Sequence, residues 1–271
     1  MTATRGLVPL VTFLVLLGGG AVCASWFVPF DPVQVNLGQR LVPPGMSHLF
    51  GTDELGRDLL SRVMVGFANT VQVSILCFVT SFIIGVFAGT LAGINYQGIV
   101  DRVFNWLAAM IFSLPFLLII SAILSLADKN LFNAYLVLTA IIWVSPARIV
   151  RAGVIRARTR PYVMAERAMG LSESRIAFRT LIPASIQPAF LFSFKYFPEI
   201  IGMEAGLSFL GLGVQPPHPG LGQLIFNSID YLTIAWWYAF FPAMLLFVVV
   251  LASNLFYKRL VGRQSQVLEG A

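Results

Sequence analysis

The feature that most limits what this chain can fold into is a series of six long apolar stretches, at 7–27, 70–94, 104–126, 134–149, 184–213 and 234–257. A backbone in lipid finds no water to pair with, so each stretch must satisfy its own amide and carbonyl groups, which a helix does. About 20 apolar residues suffice to cross the hydrocarbon core. The fourth stretch is short and stops near Ser145-Pro146, and polar residues interrupt the fifth. Of the 271 residues, 58% are hydrophobic and 11% charged, against about 45–50% and about 25% in soluble domains. An ordinary soluble class is excluded, and the expected fold is all-α and integral to a membrane, with six transmembrane helices. Arg5 followed by 7–27 has the look of a secretory signal, but the apolar run exceeds the usual h-region of about 7–15 residues. It is read as a retained first helix.

Charge placement sets the expected topology, because lysine and arginine accumulate on the cytoplasmic side. With the N-terminus inside and each helix flipping the side, the inner segments hold thirteen: Arg5, Arg102, eight arginines from Arg148 to Arg179, Lys258, Arg259 and Arg263. The outer segments hold four: Arg40, Arg57, Arg62 and Lys129. Both termini are therefore expected in the cytoplasm. The chain divides into 1–69, a first helix plus an outer segment; 70–257, a five-helix core with an inner loop at 148–183; and 258–271, a solvated tail.

The outer segment ends in a candidate amphipathic helix, where Leu55, Leu59, Leu60, Val63, Met64 and Phe67 recur at helical spacing. Thr52 or Asp53 is the expected cap, and Asp58 with Arg62 forms an i,i+4 pair. Gly51, Thr52, Asp53, Gly56, Arg57 and Asp58 are its candidate functional residues. Two readings stand: an interfacial helix feeding the second span, or a contact surface for an external partner. Gly85, Gly89 and Gly93, four apart, read as a face for close helix packing.

The most informative stretch is 148–183, RIVRAGVIRARTRPYVMAERAMGLSESRIAFRTLIP. Pro161 suits a helix start, Gly170 a helix stop, and Ser172 the cap of a second helix. A loop that only sets topology or touches anionic lipid would explain the arginines. It would not explain a helix–glycine–helix pattern carrying Ala165, Ala168, Met169 and Leu171, which need a surface to cover them. A cytoplasmic protein partner would supply it.

This loop resembles the coupling loop of ATP-binding-cassette (ABC) importer permeases, whose pattern runs Glu-Ala-Ala, three residues, Gly, nine residues, Ile, one residue, Leu-Pro. With the glycine at Gly170, Met164, Ala165 and Glu166 fall on Glu-Ala-Ala, and Thr180, Ile182 and Pro183 on the Ile and Leu-Pro positions. The leading Glu is absent, and Glu166 lies two residues later. Residues 48–62 (HLFGTDELGRDLLSR) and 204–217 (EAGLSFLGLGVQPP) resemble the second permease subunit of the dipeptide, oligopeptide and nickel importers. Leu221-Gly222 stands where members often carry Trp-Gly.

The resemblance implies a type I ABC importer permease fold in a bacterial inner membrane, working by alternating access. It implies as partners a second, homologous permease subunit, two ATP-binding subunits and an extracytoplasmic solute-binding protein, besides membrane lipid. The coupling residues would be Tyr162, Ala165, Glu166, Ala168, Met169, Gly170, Leu171 and Pro183, with that helix seated in a groove on the ATPase. This chain would bind no cofactor, ATP and Mg residing on the partner ATPase subunits. Family substrates include short peptides, nickel or metal chelates, opines and some glycosides; short peptides are favoured here.

Other classes fit less well. No G-x-x-x-x-G-K-[ST] phosphate loop occurs, so the chain is not expected to power transport. Residues 206–210 (GLSFL) lack the final glycine of a nucleophile elbow, and no catalytic residue is assigned. Two cysteines, Cys23 and Cys77, and two histidines, His48 and His218, give no metal or disulfide framework. Nothing points to nucleic acid. A transporter working alone would fit the intramembrane charges, but no inverted repeat is evident. Those charges are Lys195, Glu199 and Glu204, in the fifth stretch. Charge at the bilayer centre is expensive, so such residues face the bundle interior or water. Lys195 and Glu199 are i,i+4 and read either as an internal ion pair or, with Glu204, as a lining of the translocation path.

Overall fold

A computed structural model describes residues 7–113, 115, 119–120, 122–123 and 131–269. Eleven helices are found among them: α1 (Leu7–Trp26), α2 (Leu59–Ile94), α3 (Ile99–Ser113), α4 (Leu131–Ile142), α5 (Val144–Arg158), α6 (Pro161–Ala168), α7 (Glu173–Ile176), α8 (Ile182–Ser193), α9 (Phe197–Phe209), α10 (Leu221–Ser228) and α11 (Trp236–Glu269). The described residues hold no strand, only an isolated antiparallel bridge between Thr52 and Asp58. Among the described residues, four helical segments are long and apolar enough to cross a membrane: Val8–Trp26, Leu59–Ile94, Phe132–Arg158 and Trp236–Gly262. The third expected stretch is seen as α3, and most of its remainder lies outside the described residues.

Several boundaries differ from expectation, each for a local reason. The amphipathic stretch is not a separate interfacial helix. It is the first part of α2, which runs unbroken for 36 residues. The cap is Asp58 rather than Thr52 or Asp53: its carboxylate accepts from the Ser61 amide at 2.8 Å. With Asp58 so engaged, the expected Asp58–Arg62 pair does not form, and Arg62 turns to Asp53. Ser145-Pro146 does not end the fourth span. The helix turns at Trp143 and restarts at Val144, so Pro146 falls in a first turn, where its missing amide costs little. The tail after 257 continues α11 as helix.

The bundle is organised around α2. Its buried face carries the glycine stripe, and α5 lies against it. A Cβ on Gly85 would stand 2.9 Å from the Ala147 nitrogen, and one on Gly93 2.7 Å from the Val154 Cβ. Small residues thus let two backbones meet, as small residues do in lipid. Arg158 donates to the Gly93 carbonyl at 3.0 Å, and Arg151 forks onto Asp101 at 2.5 and 2.9 Å, tying α3 to α5. The opposite face of α2 leaves Leu76, Ile83, Phe87 and Leu91 exposed.

Helices α8 and α9, joined by a 3-10 turn at Phe194–Tyr196, complete the core. Phe194 and Phe197 stack at 5.2 Å, and each meets Phe78 of α2 edge-on at 5.8 Å. Offset and edge-on ring pairs add about 0.5–1.5 kcal/mol each beyond the area they bury.

Candidate functional site

The loop at one end of α5 folds as a compact hairpin. Pro161 opens α6 at its first turn. The helix closes with the Gly170 amide on the Arg167 carbonyl at 2.9 Å and the Leu171 amide on the Glu166 carbonyl at 3.2 Å. This is the paired-bond ending that places a left-handed residue just past the cap. Gly170 supplies it with φ +81°, which L side chains adopt only at a cost. Ser172 stands at the cap position of α7, but its hydroxyl makes no capping bond. A π-helical segment, Ala177–Leu181, then joins α7 to α8. Its wider turn relieves the clash that Pro183, in the first turn of α8, would make with the carbonyl four residues back.

Two polar clips close the hairpin. The Thr180 hydroxyl lies 2.8 and 2.9 Å from the two oxygens of Glu166 and donates to the carboxylate. Arg167 forks onto Glu173 at 2.6 and 3.1 Å. The Arg167 guanidinium, by hydrogen bonding, holds the Glu173 carboxyl below its usual range, and Glu173 in turn raises Arg167. Beneath the clips, Val163, Ile176 and Leu181 are buried against Val150, Val154 and Ala157 of α5 and Phe82 of α2. The hairpin is therefore rooted on the α2–α5 pair.

Of the apolar residues expected to need cover, Ala165, Ala168 and Met169 are exposed, whereas Leu171 is half-buried on the hairpin's own core. Tyr162 is exposed as well. Met164 and Phe178 of the same hairpin are exposed too, at 60% and 70%. They were missed because neither falls on the helix-stop pattern; their period relative to the buried Val163 and Ile176 was the available signal.

The residues singled out in the outer segment are all buried. Asp53, fully enclosed, accepts from the Leu55 and Arg57 amides and from the Arg57 Nε at 2.6 Å, with Arg62 Nε 3.0 Å away. Asp58 holds His48 at 2.8 Å. Gly56 turns with φ +72° where a side chain would strike the Asn36 carbonyl. Gly51 is buried beside the Trp237 ring. The Thr52 carbonyl accepts from Trp237 Nε1 of α11 at 3.3 Å, and Phe50 stacks on Phe241 at 3.8 Å. These contacts pin the outer segment to the bundle, while Gly56 and Asp58 also border an open cavity with His48 and Asn36.

The charges of the fifth span are not brought together. Among the described residues, no ion pair links Lys195 to Glu199, and both are exposed. Lys195 lies in the 3-10 turn at Phe194–Tyr196, whose tighter winding of about 120° per residue breaks the i,i+4 register. Glu204 is elsewhere: it is 2% exposed inside the bundle and accepts from Ser208 at 2.8 Å. Glu199 instead lines a cavity of about 190 Å³ with Ile141, Ser145, Tyr196 and Met203. A second cavity of about 400 Å³ shares Phe112, Ser145 and Tyr196 and continues past Arg148 and Arg156. Together they form one groove along α5, α8 and α9.

Residues 81–266 match the family described as "Binding-protein-dependent transport system inner membrane component". The chain is 33% identical over 249 residues to the di/tripeptide transport system permease protein DppC of Pseudomonas aeruginosa, covering 90% of this chain and 82% of that one. It is 30% identical over 252 residues to the oligopeptide transport system permease protein OppC of Bacillus subtilis, covering 93% and 81%. A chain of the inward-facing MetNI methionine ABC transporter superposes with a TM-score of 0.57 at 21% identity, over 76% of this chain and 95% of that one. At that identity the likeness is one of fold. With a family match over most of its length and relatives at this identity, the chain belongs to the binding-protein-dependent transport system inner membrane components, as a multi-pass permease subunit of an ABC importer.

Proposed function

We propose that this subunit forms half of the translocation pore of a bacterial importer for short peptides. It crosses the inner membrane six times with both termini in the cytoplasm, and alternating access is driven by two separate ATP-binding subunits. A second, homologous permease completes the pore, and an extracytoplasmic solute-binding protein delivers the substrate. The thirteen-to-four distribution of lysine and arginine supports the topology. The names of the relatives at 33% and 30% identity support peptides as the substrate class.

The observation that carries the coupling role is the exposed apolar face of a hairpin that is otherwise closed on itself. Ala165, Ala168 and Met169 remain uncovered by their own chain, while Glu166, Gly170, Leu171 and Pro183 shape and hold the hairpin. An ATPase groove receiving this face, ringed by Arg160, Arg175 and Arg179, would pull on α5 through the buried root. Tyr162 stands at the edge of that face. Lys195 and Glu199, without an ion-pair partner among the described residues, face the path; Glu204 stabilises the wall from behind.

Cysteines introduced at Ala165 and Ala168 in membranes holding the whole importer should cross-link to an ATP-binding subunit. Capture of no such subunit, with solute uptake by the purified chain alone, would overturn this assignment. Uptake of a dipeptide by vesicles that also hold the receptor and both ATPase subunits tests the substrate class.

A further inference from the structure

The groove along α5, α8 and α9 is charged in opposite senses at its two ends. Glu199 lines the smaller cavity. Arg148 and Arg156 stand along the other. Among the described residues, none of the three has an ion-pair partner. Glu199 lies within the fifth span, where an unpaired charge marks a site because its insertion cost must be recovered by something it binds; Arg148 and Arg156 lie at the inner end of the fourth. Arg148 is also posed: its guanidinium lies over the Phe112 ring at 4.5 Å. That contact steadies the side chain and leaves its N–H edge free for an anion.

The spacing limits what can bridge the two charges. Ser145 borders both cavities. Arg148 follows it by three positions, a rise of about 4.5 Å, and Arg156 by eleven, about 16 Å. An extended chain covers at most about 3.3–3.6 Å per residue, so a di- or tripeptide reaches about 7–11 Å. Measured along α5 from Ser145, a group of that length, with an ammonium at the Glu199 side and a carboxylate at the other, reaches Arg148 but falls short of Arg156.

We propose that this groove is a peptide-reading subsite of the pore wall, where Glu199 receives the N-terminal ammonium and Arg148 the C-terminal carboxylate of a di- or tripeptide. Ser145 and the Tyr196 hydroxyl lie between them to meet the peptide group. Longer substrates extend toward Arg156. This rests on the peptide-import reading above and assigns the recognition to named side chains of this subunit.

The test uses the complete importer, with its ATPase subunits and receptor, in proteoliposomes, and tritiated dialanine as the probe. The receptor is unchanged between variants, so its own selectivity cancels. Glu199→Gln and Arg148→Gln should each lower dialanine uptake at least about tenfold, as loss of one hydrogen bond to a charged group implies. Receptor-stimulated ATP hydrolysis should persist, and Glu199→Asp should recover part of the uptake. Uptake at the wild-type rate in both glutamine variants would overturn the proposal. Should either variant fail to assemble, Ser145→Cys in a Cys23→Ser background decides: dialanine should slow its reaction with a thiol reagent during turnover, and equal labelling with and without dialanine counts against the subsite. Failure of the peptide reading itself would show earlier, as absence of dialanine uptake by the unmutated importer.

Discussion

Thr180 donates its hydroxyl hydrogen to Glu166 across fourteen positions of chain, closing the 161–181 hairpin from the inside. The threonine sits in the π-helical segment and the carboxylate on α6, so one bond fixes α6 to the segment that leads into α8. Replacing Thr180 with Val keeps the volume and removes the donor. A bond to a charged acceptor in a half-buried setting contributes about 1–2 kcal/mol. Peptide uptake per ATP hydrolysed should fall several-fold in Thr180→Val, with Thr180→Ser restoring it. Unchanged stoichiometry in the valine variant would reduce the clip to a bystander.

The contact between α2 and α5 makes a sharper steric prediction. A methyl on Gly89 would overlap the Ala147 carbonyl and stand 2.9 Å from the Val150 Cβ, whereas one on Gly202 meets nothing within 4 Å. Overpacking of this kind costs about 1–3 kcal/mol. Gly89→Ala should lower the thermal midpoint of the purified subunit in detergent, and Gly202→Ala should leave it level or raise it slightly. Equal midpoints would mean the helices have room to part.

Asp53 is the hub of the outer segment. Changing it to Asn leaves Arg57 and Arg62, 6% and 2% exposed, sharing a site with no full negative charge at its centre. Removing one partner from a buried charge network costs about 3–5 kcal/mol. Asp53→Asn should therefore depress yield and thermal midpoint far more than Glu54→Gln, whose carboxylate meets the rim of the same cluster. Thermal scans of the two variants side by side decide it.

The Arg167–Glu173 fork gives the hairpin a defined response to acid. Because Glu173 titrates below its ordinary value near 4.5, its ionised form is favoured in the folded hairpin. Its contribution is complete above that ordinary value and is lost as pH falls through the lower folded one. The pair is partly exposed, so solvent screening limits it to below about 1 kcal/mol. Protection of the amides across 161–181, after division by the intrinsic exchange rate at each pH, should be lower at about pH 3.5 than at about pH 6, and Glu173→Gln should remove the difference. An identical acid response in the glutamine variant would place its origin elsewhere.

What was legible in the sequence follows from how local each signal is. Gly170 and Pro161 act on their own backbones, so the helix–turn–helix of the hairpin could be read without a fold. The glycines at 85, 89 and 93 share one face of one helix, and their packing role was legible too. Pairings across elements were not. Asp58 sits four residues before Arg62, yet each found a better partner: Ser61 and His48 for one, Asp53 for the other. Lys195 and Glu199 have the spacing of a helical pair, but a single tight turn carries them out of register. Glu204 shares their stretch and is buried instead, because α9 turns that side toward α2. Met164 and Phe178 are both left exposed, on opposite sides of the Gly170 turn, only because the chain doubles back over Val163 and Ile176.

Helix α2 carries no proline between Leu59 and Ile94 and spans about 54 Å at the usual rise per residue. The hairpin root grips it near Phe82, and the Asp58 cap and its buried neighbours clamp the far end. A beam supported in that way has no joint at which to bend. Under the coupling proposed above, a push on the hairpin would reach the far end of α2 as tilt of the entire beam, so its two ends would move in opposite senses without any signal passing through the groove itself.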